Sequence, residues 1–103
     1  MMAEYVKVMS VDELPQGEAT EKFVAGRPVA LYNVGGQFYA TNNMCVHRGG
    51  PLGQGRLDGT VIMCPWHAWT FDVTTGENTV NPDLKIGCYA VKVEDGQVLV
   101  AVE

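Results

Sequence analysis

The sequence predicts an all-β chain of antiparallel hairpins, and three observations lead there. Short stretches rich in Val, Ile, Leu, Tyr and Phe recur along the chain, bounded by Gly, Pro, Asn and Asp. Gly35-Gly36, Asp58-Gly59 and Asp95-Gly96 fall between such stretches and suit tight two-residue turns. There is no long amphipathic pattern, internal repeat or low-complexity tract that would argue for helices or an array. At 103 residues the chain is expected to form one domain, residues 1–103. A chain of this length buries roughly two-thirds of its unfolded surface, enough for a core.

Taken in order, residues 5–9 alternate as a strand does, and Ser10-Val11-Asp12-Glu13 has the form of a capping box for a short helical turn stopped by Pro15. Residues 18–24 suggest a second strand. Residues 28–34 and 37–41 then flank Gly35-Gly36 as a hairpin that delivers the chain to Cys45. Residues 42–55 read as a loop, whose Gly49, Gly50, Gly53 and Gly55 would let backbone N–H groups approach an anionic centre. Asp58-Gly59 turns the chain into a strand at 60–63 that ends on Cys64, and 69–73 leaves as its partner. Thr75-Gly76-Glu77 makes a turn, the stretch to Leu84 is irregular around Asn81-Pro82, and 88–93 and 98–102 close the chain as a hairpin about Asp95-Gly96.

The chemistry-bearing residues are Cys45-Val46-His47 and Cys64-Pro65-Trp66-His67, a C-x-H followed by a C-x-x-H. Each segment offers one thiolate and one imidazole. Four such ligands suit a zinc ion or a 2Fe-2S cluster with two sulfurs on one iron and two nitrogens on the other; a plain Cys45–Cys64 disulfide is the third reading. Structural zinc sites usually begin with a pair of like residues, C-x2-4-C or H-x3-5-H, and neither segment has one. The spacing therefore favours the cluster. Three Cys in a chain with no secretory signal also argue against a disulfide scaffold.

These four residues, with Gly49-Gly50-Pro51-Leu52 between them and Phe71-Asp72 after, resemble a Rieske iron-sulfur domain. The resemblance runs through nearly the whole chain. It implies antiparallel β-sheets in a Rieske-like fold, with a cluster-binding subdomain at about residues 43–72 inserted in a β base domain. It also implies Cys45 and Cys64 on one iron, His47 and His67 on the other, and Pro82 in a loop covering the cluster. With neutral imidazoles the oxidised centre carries no net charge, so it accepts an electron more easily than an all-thiolate cluster and its potential falls in a range of roughly −150 to +300 mV. High-potential relatives place Ser and Tyr two and four residues after the second His; here those positions are Trp69 and Phe71. The extra Cys pair of respiratory-complex members is replaced by Gly50 and Trp66. The low end of the range is expected.

The resemblance implies a soluble ferredoxin passing single electrons from a flavoprotein reductase to a terminal oxygenase of the aromatic-ring dioxygenase type. A small Rieske-like subunit of an assimilatory nitrite reductase is the alternative. From other classes come a structural zinc-binding module and a redox-sensing regulator, the latter opposed by the lack of a DNA-binding motif or basic patch. No catalytic site of its own is expected. Both His are spent on the cluster, so neither a mononuclear iron site nor a nucleophile activated by His can be built, and Gly53-x-Gly55 lacks the rest of a dinucleotide fingerprint.

A net charge of -5 argues against nucleic acid and anionic membranes as partners. Residues 1–9 contain Glu4 and Lys7 and no apolar run of signal or anchor length, so a cytoplasmic location is expected. Trp69 is expected to shield the cluster by packing, and Trp66 is the better candidate for docking. Cys88 is expected to be an inert strand residue, Arg48 and Arg56 to be solvated, and Ala68, where the family usually has Gly, to perturb the loop slightly.

Overall fold

The computed structural model describes residues 4–44, 50–66 and 68–102. Among these, nine strands form two antiparallel sheets. They are β1 (Glu4–Ser10), β2 (Ala19–Val24), β3 (Arg27–Val34), β4 (Gln37–Asn42), β5 (Arg56–Asp58), β6 (Val61–Met63), β7 (Thr70–Asp72), β8 (Cys88–Glu94) and β9 (Gln97–Val102). The larger sheet has the order β1-β9-β8-β4-β3-β2 and the smaller one β5-β6-β7. The smaller sheet is thus an insertion between β4 and β8, and it carries the second ligand segment. The all-β, antiparallel expectation is borne out.

Local chemistry explains the turns. Gly35 and Gly36 have φ of 58° and 96°, and Asp95 and Gly96 have φ of 52° and 75°, the left-handed pair that a tight hairpin needs. A third such pair, Ala25 and Gly26, joins β2 to β3, where alanine gave no turn signal. The β5–β6 ladder pairs Asp58 with Val61, so its turn is Gly59-Thr60, one residue later than the sequence suggested. Ser10 and Glu13 form the expected capping box on a single 3-10 turn, which ends before Pro15.

Period-two alternation builds two cores from one strand. On β3, Val29 and Leu31 join Met9, Leu14, Val24, Ala40, Val98 and Val100 within the base. Ala30 and Tyr32 face the other way and pack with Leu52, Ile62, Cys64, Phe71, Val73 and Ile86. This second core underlies the inserted sheet, and the Tyr32 hydroxyl is satisfied within it by Thr41 Oγ1 at 2.8 Å. Burial pushes the Tyr32 phenol far above its usual range, so it stays neutral.

Candidate metal centre

Cys64 follows β6 and is buried, with 2% of its surface exposed, in the core formed with Ile62 and Phe71. Its N–H donates to the Trp69 carbonyl at 2.7 Å, and the Val73 N–H donates to the Thr60 carbonyl at 2.8 Å. These bonds extend the β6–β7 pairing at its two ends, and the first closes the second ligand segment. Cys45, His47 and His67 lie outside the described residues, as do Arg48 and Gly49.

The first ligand segment is fixed by Asn43, which the sequence reading missed. Asn43 is buried, its carbonyl accepts from the Leu52 N–H, and its own N–H donates to the Pro28 carbonyl. Its side-chain oxygen accepts from the Gly53 N–H at 2.7 Å, and its amide donates to Glu21 Oε2 at 2.7 Å. Gln54 donates to the other Glu21 oxygen at 2.7 Å. One asparagine thus closes both ends of the segment, with Met44 and Pro51 forming a β-bridge just inside them. The hydrogen bonds from Gln54 and Asn43 hold the Glu21 carboxyl below its ordinary value. Nothing local marks Asn43 in the sequence, because its partner on β2 is 22 residues away.

The two ligand segments meet at Gly50. A β-carbon there would lie 2.6 Å from Cys64 Sγ and 3.2 Å from Trp66 Cβ and Cγ. The expectation for the other described glycines is corrected. A β-carbon on Gly53 would fall 2.7 Å from the Thr20 carbonyl oxygen, and one on Gly55 would overlap the Met63 carbonyl oxygen. Their N–H groups go to Asn43 and to the Leu52 carbonyl. These two glycines serve close packing against β2 and β6; only Gly50 among those described borders Cys64 Sγ.

The remaining residues fall into place around this contact. Trp69 is half-buried against the core that contains Cys64, whereas Trp66 is 50% exposed. Ala68 has φ of 58°, a left-handed conformation that glycine adopts without cost, which is why its methyl matters here. The loop bearing Pro82 is tied to β7, since the Thr79 N–H donates to the Thr70 carbonyl at 3.0 Å and the Thr70 and Thr79 hydroxyls are hydrogen-bonded. A cleft of about 390 Å³, lined by Ala68, Trp69, Val80 and Leu84 among others, separates this loop from the second ligand segment. Arg56 is exposed. Cys88 begins β8, and desolvation and then the charge of Asp72 push its thiol up, so it is not a thiolate at neutral pH.

The donor set and its setting fit an iron-sulfur cluster. A buried thiol stands beside a glycine of the other segment, where any side chain would intrude. A small β protein with a cluster cradle on an inserted three-stranded sheet is the class this defines. The family model for the Rieske [2Fe-2S] domain matches residues 4–99, and the chain belongs to that family. Its cofactor is one Rieske-type 2Fe-2S cluster.

Relatives agree over the full length. The chain is 36% identical over 104 residues, covering 100% of both sequences, to the ferredoxin component of naphthalene 1,2-dioxygenase/salicylate 5-hydroxylase systems from a Ralstonia species. The solved ferredoxin of carbazole 1,9a-dioxygenase from Nocardioides aromaticivorans IC177 superposes with a TM-score of 0.91 at 33% identity, covering 98% of this chain and 100% of that one. A chain in the complex of reduced oxygenase and oxidized ferredoxin in carbazole 1,9a-dioxygenase gives a TM-score of 0.85 at 38% identity, covering 94% of this chain and 92% of that one. Among the described residues, no helix is long and apolar enough to cross a membrane.

Proposed function

We propose that this chain is a low-potential Rieske-type ferredoxin that carries single electrons from a flavoprotein reductase to the terminal oxygenase of an aromatic-ring dioxygenase system. It acts as one cytoplasmic domain, residues 1–103, with the cluster-binding part at about 43–72 and no catalytic site of its own. Cys45 and Cys64 hold one iron through sulfur; His47 and His67 hold the other through nitrogen. The bound cluster supplies one-electron exchange at a potential raised by its two imidazoles. The observation that carries the reading is the contact of Gly50 with Cys64 Sγ, which joins the two ligand-bearing segments in one cradle.

The chain's own residues account for the rest. Ile62, Phe71 and Leu52 exclude water behind Cys64. Trp69 and Phe71 bring no side-chain hydroxyl where high-potential relatives have one, which supports a potential at the low end of the family's range. Met44, Trp66 and Val80, at 52%, 50% and 88% exposure, present apolar surface from both ligand segments and the adjoining loop. Exposed apolar side chains of this kind suit a partner that docks and leaves.

Reconstitution tests the assignment. With a flavoprotein ferredoxin reductase, a nicotinamide reductant and a ring-hydroxylating oxygenase, product formation should require this chain. Transfer only to a nitrite reductase, or a measured potential above about +100 mV, would overturn the oxygenase reading or the low-potential reading respectively.

A further inference from the structure

The two ligand segments are anchored on different sheets. Asn43 ties the first to β2 and β3, and the Cys64–Trp69 backbone bond ties the second to β6 and β7. A cluster that takes ligands from both needs their separation held constant. Where they meet, Gly50 faces Cys64 Sγ and the root of the Trp66 side chain. Trp66 is a large aromatic that remains half exposed, yet its Cβ and Cγ stand 3.2 Å from where a Gly50 β-carbon would be. The root of its side chain therefore lies against the first segment. Behind the contact, Cys64 is walled by Ile62 and Phe71 and cannot retreat.

We propose that Trp66 is a positioning residue that clamps the two ligand segments together over Gly50 and so slows loss of the cluster. The inference rests on the assignment of Cys45, His47, Cys64 and His67 as ligands, and deepens it. Gly50 is the matching half of the clamp. Any side chain there would push against Cys64 Sγ and lift Trp66, forcing the segments apart.

The test is the rate at which visible absorption is lost when the purified holoprotein is mixed with a ferrous-iron chelator under reducing, anaerobic conditions. Absorption and labile sulfide in the wild type test the ligand assignment; the ratio of loss rates among variants tests the clamp. Trp66→Ala should lose the cluster about tenfold faster, the rate expected from removing an aromatic contact of this size. Trp66→Phe should restore most of the wild-type rate, and Phe23→Ala, an exposed apolar change on β2 outside the clamp, should leave it unaltered.

Gly50→Ala, whose β-carbon would fall 2.6 Å from Cys64 Sγ, should lose the cluster faster than the wild type. A Trp66→Ala rate equal to that of Phe23→Ala in a fully loaded protein, or no rescue by Trp66→Phe, would overturn the proposal. Failure of the wild type to contain iron and sulfide would instead remove the ligand assignment itself.

Discussion

The ends of segment 44–51 are tied down by side chains as well as by backbone bonds, whereas the ends of segment 64–69 are tied by backbone bonds and the core beneath. For the first, the ties run from Asn43 to Glu21 and Gly53, and from Gln54 to Glu21. For the second, they run from the Cys64 N–H to the Trp69 carbonyl and along the β6–β7 ladder, over Phe71 and Ile62. Beyond its backbone bonds, the first segment thus depends on a carboxylate and two amides, and the second on apolar burial and hairpin geometry. The difference predicts that the two segments fail under different stresses, acid and cavity formation respectively.

The largest effect should come from the floor of the second segment. Phe71 is fully buried, so Phe71→Ala should lower stability by about 3–5 kcal/mol, read as the shift in a urea unfolding curve. Removing the brace of the first segment should cost less. Asn43→Ala strands the buried Gly53 N–H, and about 1–3 kcal/mol should be lost, again by urea titration. Ala68→Gly should act in the opposite direction. It relieves a left-handed alanine in the second segment and should raise the unfolding midpoint by an amount equivalent to roughly 0.5–1 kcal/mol.

The smallest effect carries the sign that separates the two segments. The Glu21 carboxyl is held below its ordinary value of 4.5, so its contribution to stability is present above that value and lost as the pH falls through the lowered one. Glu21→Gln should therefore be less stable than the wild type at neutral pH by up to about 0.5 kcal/mol, since solvent screens these bonds, and the gap should close in acid. Phe71→Ala should show no such convergence. A gap that widened in acid would contradict the role given to Glu21.

Much of this was legible because short-range chemistry wrote it. Gly35-Gly36 and Asp95-Gly96 are turns whose left-handed residues announce themselves, and the capping box at Ser10 is satisfied by residues three apart. Cys64 at the end of a strand followed from the Asp58-Gly59 signal, although the turn sits one residue later. What stayed hidden was long-range. Asn43 finds Glu21 across the β2–β3 layer, Gly53 and Gly55 are glycines because carbonyls of β2 and β6 press on them, and Ala25 turns the chain with no side-chain signal. Gly50 was legible as a close-approach glycine, and the structure names its neighbour as Cys64 Sγ.

The most direct test of the central claim is low-temperature EPR with optical spectra of the purified protein before and after dithionite, with iron, zinc and labile sulfide quantified. The account predicts a red-brown protein with two irons and two sulfides per chain, bleached on reduction, with a rhombic signal of average g below that of all-thiolate clusters. Single Cys45→Ala, His47→Ala, Cys64→Ala and His67→Ala variants should each lose it. A colourless, EPR-silent protein with stoichiometric zinc after anaerobic preparation would contradict the account.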